Sequence, residues 1–430
     1  MIKKVHLLGI VFFLFIQNTY SQHDYYDAKY SIQTNRSFIP NIESVQLHRL
    51  GNELSMPIIT HNTNEQLILS FDRLSTDLLD FSYTFIHCDV NWRPSDLNYF
   101  DYAFGLPEDY IRDYKFSRNT IQRYIHYNIV FPNEQIKLNF SGNYIIKVFK
   151  NDNPDDIVLT WRFFVAENLV DISTDIKRTN NVQYRNSRHE LDFSIIHPKY
   201  NITNPYQNLK VVLMKNHRWD NMITDLKPVF PKMNEIVYDY DEENTFEANN
   251  EYRFFSTRVI GQTGENIDNV YMHGDTNVVL LSRDVRRANT VYLNRPDING
   301  YRQIKSDNFM YNSDVDADYA MVLFEIESDF LHNKQVYVHG GLCYFDLNEK
   351  CRMEYNYQAK AYRAAIYLKQ GFYNYQYAVY SPKTKEVDKS YFEGSFFETG
   401  NTYSFFVYYT GPGAFYDRLI GYKQEDFPKG

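Results

Sequence analysis

The stretch LILSFDRLSTDLLDFSYTFIHCDVNW, residues 67–92, decides the fold class. Leu67, Leu69 and Phe71 recur at every second residue with Ile68 and Ser70 between them, and Phe81, Tyr83 and Phe85 repeat the pattern after a polar break. Side chains of an extended chain alternate between the two faces of a sheet, so a period of two marks a strand with one face buried. A helix would space its apolar residues by three and four. The same alternation runs outward from about residue 42 to the end of the chain. Residues 124–131, 143–149 and 158–165 read as further strands, with turn residues at Ser141-Gly142-Asn143 and around Pro154. So many short strands, punctuated in this way, predict an immunoglobulin-like sandwich.

A second set of strands is expected at 191–196, 209–214, 251–259 and 278–281, and a third at 319–326, 336–341, 364–368, 373–380 and 403–409. The polar stretch 294–312, with Pro296 and Gly300, reads as the connector between them. Long helical periodicity is absent. The predicted architecture is therefore all-β: three consecutive immunoglobulin-like or early-set β-sandwich domains at 22–168, 169–293 and 294–430, behind a signal peptide at 1–21. Within the first, residues 92–120 form a long piece rich in Asp, Tyr and Asn, with one helical turn expected after Pro107.

The leader rests on three features in order: Lys3 and Lys4, the apolar run from Leu7 to Ile16, and the small residues Thr19 and Ser21 before Gln22. The apolar run is too short to span a bilayer, and no Cys follows it to carry a lipid. The expected location is the periplasm, without direct membrane insertion. A formal charge of −9 repels nucleic acid and anionic headgroups, so neither is an expected partner. Three cysteines are too few for a disulfide framework. Cys343 and Cys351 flank Asp346–Glu349 and can face each other across a turn or remain two small hydrophobes; Cys88 is expected to be buried and free.

Catalytic constellations are missing. The chain has no Gly-x-Ser-x-Gly elbow, no phosphate-cradling Gly loop and no His-Glu-x-x-His helix, and no catalytic, cofactor or metal residues are assigned. The string His87-Cys88-Asp89 is the strongest ligand-like cluster, but neighbours on a strand point to opposite faces. Asp314, Asp316 and Asp318 imitate a calcium loop, yet Tyr319 stands where the sharp turn needs Gly. The segment YRAAIYLKQGFYNYQYAVY, 362–380, resembles a hairpin of early-set sandwiches found beside starch- and glycogen-acting enzymes, and its stripe Tyr373, Tyr375, Tyr377 motivates an alternative reading as a periplasmic carbohydrate-binding module. A hydrolase assembled from His87, Asp89 and Asp96 is a further alternative.

Beyond single motifs, the strings NIESVQLHRLGNELSMPII (41–59), LILSFDRL (67–74), FIHCDVNWRPSDLNYFDYAFG (85–105), FSRNTIQRYIHYNIVFP (116–132) and SGNYIIKVF (141–149) stand in order with LKQGFYNYQY (368–377), FEGSFFETGNTYSFFVYY (392–409) and YDRLIGY (416–422). Together they resemble the plug protein family of the Bacteroidota type IX secretion system. The resemblance implies a non-enzymatic protein whose partner is the translocon's outer-membrane β-barrel, and which closes its periplasmic opening. The residues expected to meet that partner are Trp92, Tyr99, Phe100, Tyr102, Phe104 and Tyr110, aromatic anchors set among Arg and Asp in the 92–120 piece.

Overall fold

The structure, a computed structural model, describes residues 32–308, 310 and 312–428. The leader expected at 1–21 lies outside them. Strands dominate, joined by turns and a few single helical turns.

The alternating residues around position 67 do what their period requires. Leu67–Arg73 pairs with Ile42–Arg49 on one side and Ile125–Phe131 on the other, with Asp113–Phe116 at the far edge of this four-stranded sheet. Phe81–Cys88 lies in a second sheet between Gly142–Lys150 and Asp109–Tyr110; the long strand Asn153–Ala166 follows Gly142–Lys150. The two apolar stripes meet between the sheets. Phe71 and Phe81 have ring centroids 5.8 Å apart, and Phe85 and Phe131 4.9 Å apart. Each fully buried side chain of this kind stabilises the fold by roughly 2 kcal/mol.

In the second unit, Asp171–Arg178, Arg188–Ile196 and Glu235–Tyr238 form one sheet with two short strands. The opposing sheet is built from distant chain. Leu209–Lys215 pairs with Asn401–Tyr409, which pairs with Arg418–Phe427. The C-terminal hairpin thus leaves the third sequence segment and closes the second core, where Tyr403, Phe405, Val407 and Ile420 are buried beside Leu191 and Phe193.

The third unit is one ten-stranded sheet, and it takes strands expected in the second. Arg253–Ser256, Ile267–His273 and Thr276–Leu281 all belong to it, as does Arg302–Ile304 from the expected connector. The sheet curls so that its first strand faces its far half: Phe255 and Phe324, far apart in strand order, have ring centroids 5.7 Å apart. Strand pairing therefore does not change at residue 293/294. Alternation marks which face of a strand is buried, but not which strand lies beside it.

The unbroken apolar run Val211 to Met214, in the strand Leu209–Lys215, follows from burial on both faces. Leu209, Val211 and Leu213 point into the second core, while Val212 and Met214 point the other way. There they join Phe164, Ile145, Trp92, Trp219 and Phe406 in a further core that welds the first unit to the second. A strand covered on both faces reads as an unbroken apolar run.

Cys343 and Cys351 are joined by a disulfide, closing the loop between the antiparallel neighbours Gln335–His339 and Arg352–Asn356; Cys88 is buried and free. Replacing both bridged cysteines by Ala is expected to lower stability by about 2.5 kcal/mol, the loop-closure value for so short a loop. Urea midpoints with and without reductant check this, and equal midpoints would refute it.

Candidate interaction surface

The 92–120 piece begins with a tight turn. Asp89 Oδ1 accepts from the backbone N–H groups of Asn91 and Arg93, both at 2.9 Å, and Trp92 takes a positive φ of 66°. The turn throws Trp92 inward. Its ring meets Trp219 edge-on at 5.0 Å and Phe164 at 5.2 Å, and the Arg162 guanidinium covers it at 4.7 Å. Trp92 is only 3% exposed, so it belongs to the weld between units and not to a partner surface.

The one helical turn falls at Tyr99–Tyr102, before Pro107 instead of after it. Asn98 and Asp101 set it: the Asn98 backbone N–H donates to Asp101 Oδ2 at 2.8 Å, in a capping box. That Asn-x-x-Asp signal was legible in the sequence and outranks Pro107. After Pro107 the chain is extended, and Asp109–Tyr110 pairs with Phe81–Cys88. Tyr102 is also corrected. It is buried, its hydroxyl donating to the Phe85 carbonyl at 3.0 Å, because a buried phenol needs an acceptor.

The remaining four stay at the surface. Tyr99 is half-buried, its hydroxyl donating to the Leu106 carbonyl at 2.7 Å, and its ring supports Phe100 edge-on at 5.6 Å. Phe100 and Phe104 are 69% and 67% exposed, and Tyr110 is half exposed with its hydroxyl on Asp152 at 2.8 Å. Sequence reading missed Leu106, Tyr114 and Phe116, all exposed. Tyr114 and Phe116 share one face of the edge strand Asp113–Phe116, a two-residue spacing that could have found them. Arg112, Asp113 and Lys115 are interleaved with them as exposed charges.

The other candidate chemistries resolve into structure. His87 is buried, with Nδ1 at 2.9 Å from Ser95 Oγ and Nε2 at 3.1 Å from the Ser141 carbonyl; burial pulls its pKa down to about 4. Cys88 lies on the opposite face, and burial pushes its thiol up to about 12, far from a reactive thiolate. Asp89 caps its turn and Asp96 is exposed, so the three hydrolase candidates share no cleft. Asp316 pairs with Arg118 at 3.0 Å, and Asp318 accepts from the backbone N–H groups of Ile121 and Gln122 at 2.8 and 3.1 Å. These carboxylates clamp the first unit to the third. The stripe Tyr373, Tyr375, Tyr377 is buried inside the third unit, its rings stacked among Phe255, Phe324 and Phe392, and offers no face to a sugar.

Residues 42–167, which carry this surface, match the model of the type 9 secretion system plug protein 1st domain. No curated protein matches the chain. A crystal structure titled as a hypothetical protein from Parabacteroides merdae ATCC 43184 is similar over nearly its whole length: TM-score 0.88, 33% identity, 91% of this chain and 98% of that one covered. With that family model on its first unit and that relative along its length, the chain belongs to the type 9 secretion system plug protein family.

Proposed function

We propose that this protein is a non-enzymatic stopper, exported to the periplasm, that binds the outer-membrane barrel of the type IX translocon and closes its periplasmic opening. The observation that carries this reading is the series of exposed apolar side chains Phe100, Phe104, Leu106, Tyr110, Tyr114 and Phe116 in one segment of the unit that matches the family. Large apolar side chains gathered at a surface among charges mark a protein-binding site. This segment belongs to a stiff body, since the first unit is welded to the second through Trp92 and Trp219 and clamped to the third through Asp316 and Asp318. Width and stiffness suit a stopper. A mixed aromatic and polar contact suits one that must also leave. Among the described residues no helix is long and apolar enough to cross a membrane.

A tagged pull-down from solubilised outer membranes should recover the barrel. Phe100→Ser with Phe104→Ser should abolish that recovery while changing stability by no more than about 0.5 kcal/mol, because exposed side chains contribute little to folding. Deleting the gene in cells that also lack the barrel's cap protein should admit large antibiotics. Unchanged permeability in that strain, with no barrel in the pull-down, would sink the proposal.

A further inference from the structure

Between the first unit and the third lies a cleft of about 530 Å³, lined by residues 35–40 and 42–44 on one side and by Arg302, Tyr319, Tyr344 and Lys369 on the other. Two buried cations line it, Lys369, which is paired with Asp72, and Arg302, 7% exposed. A guanidinium carries five N–H donors in a fixed fork and cannot lose its charge in a protein. Here Nη2 donates to the Val45 carbonyl at 2.9 Å, and the group lies over the Tyr344 ring at 4.7 Å. Among the described residues, the ionisable groups that act on it most strongly are tyrosines, Tyr344, Tyr373 and Tyr319, and it makes no ion pair with a carboxylate. Three other buried cations face carboxylates, Arg218 with Asp220, Arg253 with Glu393 and Asp284, and Lys369 with Asp72, while buried Lys215 donates to the Glu247 carbonyl and Asn249 Oδ1. A buried charge without a counter-ion is costly unless something supplies one.

The rest of the cleft fits the same guest. Two ion pairs join its walls at the rim, Arg36 with Asp346 at 3.5 Å and Lys350 with Glu43, and both are solvent-accessible enough to exchange partners. The floor is aromatic and apolar, with the Tyr319 and Tyr367 rings stacked at 5.4 Å beside Met321 and Leu368. The third-unit wall that carries Asp346 and Lys350 is held by the Cys343–Cys351 bridge. Clefts between domains, apolar with a few convergent polar groups, are where ligands bind.

We propose that this cleft binds a carboxylate borne next to an apolar or aromatic group, the carboxylate received by Arg302 and its neighbour by the tyrosine floor. The chemistry can be offered by a free aromatic acid or by an acidic, aromatic-rich peptide segment, and two probes separate these. Isothermal titration of the full chain is made with 3-phenylpropionate, with the peptide Glu-Phe-Glu-Phe-Glu-Phe, and with the same peptide carrying Gln for Glu. Saturable binding is expected for the acids and not for the Gln peptide. A peptide more than about tenfold tighter than phenylpropionate assigns the site to a protein segment; equal affinities assign it to a small acid. Arg302→Gln should weaken binding at least about tenfold, and Arg302→Lys should fall between, because one ammonium cannot replace a bidentate fork. Hydrogen exchange on the wild-type chain should show residues 36–44 and 340–351 protected by the acidic peptide, a readout independent of how the variants fold. No binding by either acid at millimolar concentration, equal binding by the Gln peptide, or protection confined elsewhere would overturn the proposal.

Discussion

Acidification from pH 7 to pH 5 should destabilise the protein, with its buried histidines contributing a loss of about 4 kcal/mol, read as a fall in the urea midpoint. His87, His189 and His339 are each less than 2% exposed. Burial pulls the first two down to about 4 and the third well below its ordinary value, where Arg218 and Lys389 add like-charge repulsion. Their rings are committed as neutral groups. His189 lies between the Tyr403 hydroxyl at 2.7 Å and the Phe397 carbonyl at 2.6 Å, and His339 Nδ1 faces Gln376 at 3.2 Å. The unfolded chain takes up these protons below about 6.5 while the folded chain refuses them until about 4, so their contribution is full above 6.5 and is lost as the pH falls toward 4. At pH 5 that amounts to about 2 kcal/mol for each of His87 and His189, with His339 acting in the same direction. A midpoint unchanged between pH 7 and pH 5 would show that these rings protonate in place.

Lys369→Met should destabilise the fold by about 3–5 kcal/mol, although Met is apolar and the site is buried. The Lys369 ammonium donates to Asp72 Oδ2 at 2.7 Å, and both side chains are out of solvent. Asp72 also accepts from the Tyr319 hydroxyl at 2.7 Å and meets His126 Nδ1 at 2.6 Å. Burial alone would push this carboxyl up; the Lys369 ammonium and His126 together hold it below the usual carboxylate range. Removing the ammonium leaves a desolvated carboxylate with too few donors. Removing both charges with Asp72→Leu and Lys369→Met should recover most of the loss, because no charge then remains unpaired. Chemical denaturation of the three variants measures this. Equal destabilisation of single and double variants would mean that the pair contributes through packing alone.

Apart from His87, both effects depend on groups that sequence reading passed over, and the reason is general. Asp72 sits near the end of the strand whose alternation was plain, on the face that looked solvated. It is buried because third-unit residues nearly 300 positions away cover it, Lys369 among them. His189 reads as one polar residue in Arg188–Ile196, yet its partners Tyr403 and Phe397 arrive with the C-terminal hairpin. Local pattern reports which side of a strand a residue occupies. It does not report what lies on that side.

The candidate surface divides the same way. Phe100 and Phe104 were readable as exposed because no alternating stripe claimed them, and the Asn98-x-x-Asp101 cap fixes the turn that presents them. Trp92 was misread because its partners, Arg162 and Trp219, are about 70 and 127 residues downstream, and a large aromatic near a loop looks the same whether it caps a core or waits for a partner.

By itself the sequence determined that this chain is all β, where most strands run, which face of each is apolar, and the family to which the chain belongs. These follow from backbone geometry, since the two-residue repeat of an extended chain writes itself directly into residue order. Only the tertiary structure decided that Asn401–Tyr409 and Arg418–Phe427 complete the second unit, that Arg253–Ser256 opens the third, and that Arg302 and Lys369 line a cleft shared with the first. Partner choice between strands depends on the summed complementarity of whole faces drawn from distant parts of the chain, and no local window of sequence contains that sum.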